Sequence, residues 1–538
     1  MNLTHEGIKA EKLWKEAGIA LPSYNVEEVA EKTRNSPLWV HFGIGNIFRV
    51  FIGDIADRLL SEGEMDRGII CAETFDYDVV DKIYEPYDNL AISVILNGDG
   101  TQEKRVLGSL AEAVKAKSSD EKQWGRMKEV FRDCGLQMVS FTITEKGYAL
   151  TGTDGTYAPF VLEDIKNGPE KPVGAMAVVA ALLLERFRGG AFPLALVSMD
   201  NCAQNGSRLR SSVLTMAKEW EKRGFVDQAF VEYISDERKI SFPWTMIDKI
   251  TPRPSEKIAG ELEQAGVEGM QPVITSKKTY IAPFMNAEGP QYLVIEDRFP
   301  NGRPALEKAG VYMTDRETVK KSERMKVTVC LNSIHSALAP YGCVLGYTLF
   351  SDTIRDAKLL KLAHLVGEEG MKVVPDPGII SPRAFLNECL EERFPNPYLG
   401  DTVQRIVTDI SQGVGVRFGE TVKAYVEKEG TAAALKGIPM AIAGWLRYLL
   451  AVDDEGTPFE LSPDPLNEEL QGRMSTVVFG NPDSLKGQVK GILSNENIFG
   501  VDLYQAGIGQ EIEEILREEI QGPGAVRATL KKYLGQTA

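Results

Sequence analysis

The stretch LWVHFGIGNIFRVFIGDIADRLL, beginning at Leu38, constrains the fold more than any other part of the chain. A short β-prone run is followed at once by a glycine turn, Gly43-Ile44-Gly45-Asn46, and then by apolar residues at helical spacing. A strand that turns on glycines directly into a helix is the opening unit of a parallel α/β sheet. Four further segments repeat the theme: GIICAETFDYDVVDKIY, NLAISVILNGDG, LQMVSFTITEKGY and AFPLALVSMDNCAQNG, the last leading into the helical SRLRSSVLTMAKEWEKRG. From about Lys320 the pattern becomes mainly helical, as in GTAAALKGIPMAIAGWLRYLLAV and GQEIEEILREEIQGPGAVRATLKKYLG. The expected fold is α/β. A Rossmann-like domain with a largely parallel sheet, preceded by an N-terminal extension, spans residues 1–290. A mainly helical domain spans residues 291–538. The strand and loop YLVIEDRFPNGRP join the two regions, with the boundary between Ala287 and Ser322.

Composition narrows the function classes. The 538 residues are too many for one core. The net charge of −16 repels phosphate backbones, so nucleic acid is excluded as a partner. No apolar run reaches membrane-spanning length, and MNLTHEGIKAEKLWKEAGIA lacks the apolar stretch of a signal peptide. Six cysteines without CxxC spacing read as reduced thiols of a cytoplasmic protein. Of the four histidines, His5, His41, His335 and His364, none stands at metal-ligand spacing, so no metal centre is expected. With no heptad seam visible, the expected state is a monomer or weak homo-oligomer.

The turn HFGIGNIFR lacks the third glycine of a dinucleotide fingerprint, having Phe48 in its place. Its context supplies what the motif needs: glycines that let the backbone approach a pyrophosphate, and a helix start with unpaired N–H groups. Gly43, Gly45, Asn46 and Ile47 are therefore candidate cofactor contacts. Arg49 on the first helical turn could add a charge contact to phosphate. The next strand ends in CAETFD, where Glu73, or failing it Asp76, could accept from a ribose 2′-hydroxyl. No cation follows immediately to receive a 2′-phosphate, which points to NAD rather than NADP.

The second notable stretch is ERMKVTVCLNSIHSALAPYG, Glu323 to Gly342. It places Lys326, Asn332 and His335 in an apolar, helix-like run, where each polar group costs free energy to desolvate. Metal-free hydride transfer from a secondary alcohol needs a base for the hydroxyl proton and donors for the developing alkoxide. A lysine can be the base, asparagine amides can hold the oxygen, and a histidine can orient the substrate.

Seven motifs in order, HFGIGNIFR, FTITEKGY, SMDNCAQNG, FPWTMIDKITP, YLVIEDRFPNGRP, MKVTVCLNSIHSALAPYG and RFPNPYLGDTVQRIVTDIS, resemble the polyol-specific long-chain dehydrogenases, the mannitol dehydrogenase family. The likeness covers about Leu38 to Phe418. It implies metal-independent, NAD-linked oxidation of a sugar alcohol or aldonate carbinol. It makes Lys326 the general base and puts Asn201 and Asn332 in the alkoxide pocket. His335 would contact the substrate, Asp248 would line the pocket, and Arg405 and Asp409 would lie on the substrate side. Two positions depart from the family pattern. Five residues, not four, separate Lys326 from Asn332, which on a regular helix turns the lysine by about 100° unless a π-bulge absorbs the extra residue. At Gly413 the family carries a substrate-contacting lysine, for which Arg417 is the nearest later cation. The likeness is greatest to the uronate-reducing branch, which implies interconversion of D-fructuronate and D-mannonate in hexuronate catabolism, with Arg405 and Arg417 as carboxylate partners. Mannitol 2-dehydrogenase and tagaturonate reductase activities are the alternatives.

Overall fold

The computed structural model describes residues 1–152 and 155–535. The chain divides into two compact units, Met1–Lys320 and Lys321–Ala538.

In the first unit six strands form one wholly parallel sheet: β1 (Trp39–Phe42), β2 (Ile69–Glu73), β3 (Leu110–Lys115), β4 (Met138–Phe141), β5 (Leu194–Ser198) and β6 (Ile240–Ser241). Their order is β3-β2-β1-β4-β5-β6. That is the doubly wound arrangement of dinucleotide-binding folds, with its switch point between β1 and β4. These strands show almost no polar alternation because both faces are covered. Val40, Phe42, Val139, Phe141 and Leu196 join one core, while Trp39, Ile69, Cys71, Met138 and Val197 join the other.

The NLAISVILNGDG strand lies elsewhere than the sequence pattern suggests. Ala91–Leu96 turns back on Gln102–Leu107 as an antiparallel hairpin, in a separate four-stranded sheet with Ile19–Ala20 and Phe284–Ala287. The third parallel strand comes instead from LAEAVK, on the sheet edge. The N-terminal extension builds a small core of its own, in which Leu3, Trp14, Ile19 and Val26 meet Ile92, Val94, Leu262 and Phe284. The units divide after Lys320 rather than at 290 because Tyr292–Glu296 pairs antiparallel with Thr245–Asp248 and parallel with Tyr312–Thr314, which ties all three strands to the first unit.

The second unit is helical. Helix α2 (Asn332–Val344) packs on α3 (Gly437–Tyr448) and on the Ala357–Met371 helix, and α3 packs on α4 (Gly509–Glu519). The close approach of α2 to α3 depends on Gly444, where a Cβ would lie 2.4 Å from the Tyr341 ring.

Candidate active site

The glycine turn sits at the C-terminal end of β1, at the sheet's switch point. Gly43 has φ +89°, and a Cβ on it would lie 2.2 Å from the Thr142 carbonyl oxygen at the end of β4, so only glycine fits. Gly45 is different: nothing would approach a Cβ there within 4 Å. One glycine closes the turn against β4, and the other leaves an open backbone face at the start of a helix. That is the shape a dinucleotide pyrophosphate requires. Asn46 and Ile47 open this helix, whose next turn, Phe48–Gly53, is π-helical.

Below the turn lies a polar chain that the sequence does not reveal. The Thr142 hydroxyl donates to the Gly43 carbonyl at 2.7 Å and meets His41 Nε2 at 2.8 Å; His41 Nδ1 meets Ser140 Oγ at 2.6 Å, and Trp39 Nε1 donates to that same oxygen at 2.7 Å. The imidazole is fully buried and stacked on Phe48, and burial holds its pKa well below the usual histidine value.

Arg49 departs from its expected role. Its guanidinium is 1% exposed, with Nη1 donating to the Ala282 carbonyl at 2.8 Å and Nη2 to Asn46 Oδ1 at 2.7 Å. It braces the turn from inside the protein rather than presenting a charge to phosphate. Glu73 ends β2 as anticipated and is buried. Its Oε1 accepts from the N–H groups of Thr74, Phe75 and Asp76 at 2.9, 2.9 and 3.3 Å, and its Oε2 receives only a long 3.4 Å contact from the Ile44 N–H. Burial raises its pKa against the pull of these donors. Oε2 keeps accepting capacity for a hydroxyl. Asp76 turns away, taking the Thr275 hydroxyl at 2.6 Å, which fastens the Val273–Ile281 hairpin. Phe75, not among the residues expected from the sequence, is 64% exposed at this strand end with Lys277 Nζ 5.0 Å above its ring. An exposed aromatic in a turn between acids was the available signal.

The SMDNCAQNG loop after β5 carries Asn201 at an exposed position. Asp200 beside it holds the loop. Its carboxylate accepts from the Ile143 and Thr144 N–H groups at 2.9 Å each and from Tyr148 Oη at 2.5 Å. This joins the FTITEKGY and SMDNCAQNG motifs. Asn205, at the start of helix α1 (Asn205–Lys222), makes the next link: Nδ2 donates to the Asp200 carbonyl at 3.0 Å and Thr245 Oγ1 at 2.8 Å, and Oδ1 accepts the Thr245 N–H at 3.1 Å. Thr245 begins the strand that ends at buried Asp248. Asp200 and Asn205 are thus positioning residues for the loop and strand that carry Asn201 and Asp248.

In the second unit the extra residue before Asn332 meets a matching irregularity. Met325–Cys330 is a π-helix, and the Leu331 N–H bonds to the Lys326 carbonyl at 3.0 Å. A π turn closes i→i+5 instead of i→i+4 and so takes up one more residue. Lys326 is 2% exposed. Asn332 opens α2, and its Oδ1 is buried with no hydrogen-bond partner among the described residues. His335, one turn on, is half-buried, its ring 4.6 Å from each of the Phe350 and Phe394 rings.

Arg417 lies on a second π-helix, Gly415–Gly419, and its Nη1 donates to Ser336 Oγ on α2 at 2.6 Å. Arg405 and Asp409 are placed differently. Both are exposed; Arg405 is paired with Asp401 one turn back, and Asp409, with φ +55°, caps a short 3₁₀ turn. The Val403–Ile406 turn packs on α2, but of these three residues it is Arg417 whose side chain bonds to the helix carrying Asn332 and His335. Among the described residues no group of His, Cys, Asp and Glu could hold a metal ion, and no helix is long and apolar enough to cross a membrane.

Residues 38–308 match the mannitol dehydrogenase Rossmann domain, and residues 318–518 match the mannitol dehydrogenase C-terminal domain. The chain belongs to the mannitol dehydrogenase family. It is a dehydrogenase of the polyol and aldonate class. It is 52% identical to the D-mannonate oxidoreductase of Thermotoga maritima over all of this chain and 99% of that one. It is 28% identical to the mannitol 2-dehydrogenase of Phaeosphaeria nodorum over 96% of this chain and 83% of that one. Among solved structures, D-sorbitol dehydrogenase in substrate-free form matches with TM-score 0.78 at 25% identity, covering 96% of this chain and 98% of that one. The mannitol 2-dehydrogenase of Pseudomonas fluorescens shares the family fold, with TM-score 0.70 at 23% identity over 99% of each chain.

Proposed function

We propose that this dehydrogenase interconverts D-fructuronate and D-mannonate with NAD(H), without a metal, using Lys326 as general base. In the oxidising direction the Lys326 amine takes the carbinol proton, the C–O bond becomes a carbonyl, and the hydride leaves the same carbon. A nicotinamide cofactor, when bound, would supply the hydride acceptor, and in the reverse direction the donor. The Nδ2 amide of Asn332 would be a donor for the alkoxide, and that of Asn201 another. His335 would contact the substrate and Asp248 line the pocket, while Asp200 holds the loop that carries Asn201. Gly43, Gly45, Asn46 and Ile47 would receive the pyrophosphate, and Glu73 Oε2 the ribose hydroxyl, which favours NAD over NADP.

The observation that carries this mechanism is the π-helix at Met325–Cys330, which takes up the extra residue between base and amide. The substrate reading is supported by the full-length relative named D-mannonate oxidoreductase. The six cysteines, all thiols rather than disulfides, accord with a reducing cytoplasmic setting, and we assign the active species as a monomer or weak homo-oligomer.

The test is oxidation of NADH, and separately NADPH, by purified protein with D-fructuronate, D-tagaturonate and D-fructose, before and after EDTA. Dominant, EDTA-resistant turnover of D-fructuronate with NADH supports the reading. Preference for D-fructose or D-tagaturonate replaces the substrate, and loss with EDTA removes the metal-free mechanism.

A further inference from the structure

Arg417 is a half-buried guanidinium with no acidic partner among the described residues, and its Nη1 donates to Ser336 Oγ at 2.6 Å. Desolvation alone acts on its charge, pulling its pKa below the usual guanidinium value, and no carboxylate stands by to offset it. A cation removed from water without a counter-ion is costly unless a ligand supplies the charge. Two other buried or half-buried arginines are disposed differently. Arg186 is wrapped by the carbonyls of Phe131, Asp133, Leu136, Phe192 and Pro193, and Arg126 is forked onto Glu112.

The place of the guanidinium is set by Gly413. A Cβ on Gly413 would lie 2.6 Å from Arg417 Cζ and 2.7 Å from Nε, so the side chain folds back across the glycine. The backbone does not call for glycine here, since Gly413 has φ −104° and ψ −26°, which any residue adopts. Space for the guanidinium is therefore what glycine provides. The π-helix beneath is fixed as well: a Cβ at Gly415 would meet the Ile498 carbonyl at 2.6 Å, and one at Gly419 the Phe499 carbonyl at 1.8 Å. The tether at Ser336 lies next to His335 on α2.

We propose that Arg417, folded over Gly413 and tethered by Ser336, is the specificity residue that binds the carboxylate of an acyclic sugar acid, and that any side chain at position 413 removes it from that site. Guanidinium and carboxylate match in planar, two-bond geometry, and Arg417 retains donors beyond the one given to Ser336. The proposal rests on the sugar-acid reading above and adds which residue reads the acid group.

The test compares inhibition constants of D-mannonate and its neutral counterpart D-mannitol for the wild type, Arg417→Gln and Gly413→Ala. Gly413→Ala is informative because it keeps the charge and shifts only the tip of a flexible side chain, so the fold is retained. The expected result is a wild type that prefers D-mannonate, with that preference reduced roughly 10- to 100-fold in both variants, the scale of a charge-assisted hydrogen bond, while D-mannitol binding changes little. Arg417→Lys should recover part of the preference. Equal loss of both ligands, or a mannonate preference unchanged in Gly413→Ala, would overturn the assignment. These inhibition constants are separable from the substrate question. A wild type that turns over D-fructose but not D-fructuronate defeats the functional reading, and the mannonate-to-mannitol ratio still decides what Arg417 recognises.

Discussion

The glycine turn of the first unit and the α2 region of the second both concentrate polar groups in apolar surroundings, but they spend them differently. Around the turn nearly every polar group is satisfied by the protein. Arg49 is held by Ala282 and Asn46, Glu73 Oε1 by three backbone N–H groups, and His41 by two hydroxyls. Around α2 the Asn332 Oδ1 and most of the Arg417 guanidinium have no protein partner among the described residues. Satisfied groups shape a backbone for a ligand bound through main-chain N–H. Unsatisfied groups wait for a ligand bound through side chains. A dinucleotide suits the first and a hydroxylated acid the second.

The contrast is broken most severely at the base. Lys326→Ala should lower kcat by roughly 10²–10⁴-fold, the range for a general base, while NADH binding, read by fluorescence, stays within about twofold if the cofactor is held by the first unit as proposed. A rate within tenfold of wild type would move the base elsewhere. Asn332→Ala should cost roughly 10²–10³-fold in kcat, as for loss of one oxyanion donor. Because Asn332 Oδ1 has no protein partner among the described residues, the variant's melting temperature should hold or rise. A large fall in melting temperature with little kinetic change would make Asn332 structural and erase the distinction between the two regions.

Arg49 sharpens the comparison from the other side. Arg49→Met leaves the Ala282 carbonyl and Asn46 Oδ1 without their donors, at about 1–3 kcal/mol each. The expected signature is a melting temperature lower by several degrees, with KM for NADH rising only as far as the turn loosens. An unchanged melting temperature with a tenfold weaker NADH would return Arg49 to the phosphate.

These residues also show what was legible beforehand. The strand-turn-helix unit and the parallel sheet could be read because strands covered on both faces are apolar without alternation and glycines punctuate them. The β3 strand could not, since LAEAVK alternates weakly on an edge and borrows its place from the hairpin before it. The π-helix was foreshadowed by counting residues between Lys326 and Asn332, a purely local signal. The bracing contacts of Arg49 were not legible because one partner, Ala282, is 233 residues away, and no local pattern reveals it. Arg417 was visible as a cation near a missing lysine. Its dependence on Gly413 was not, because a side chain folding back over its own helix leaves no trace in spacing.

The smallest expected effect lies at the far end of α2. Tyr341 Oη stands 2.6 Å from Glu519 Oε1 and 2.8 Å from the Met440 carbonyl, two acceptors for one phenolic proton. Both contacts are met if Glu519 is protonated and donates to Tyr341, which then donates to Met440. Burial acts in the same direction, raising the Glu519 pKa from 4.5 to about 8. The folded protein therefore holds a proton here that the unfolded chain releases. This contribution to stability is complete below pH 4.5 and falls as pH rises toward about 8, by about 1.4 kcal/mol per pH unit at most. Glu519→Gln keeps a donor for Tyr341 and cannot ionise. Its stability relative to wild type, from urea unfolding at pH 5 to 9, should climb with pH and level off above 8. Parallel wild-type and variant curves would show that Glu519 is already ionised at neutral pH. Polar groups satisfied within the second unit would then tolerate charge, and the line between its buried networks and the open groups on the same helix would have to be redrawn.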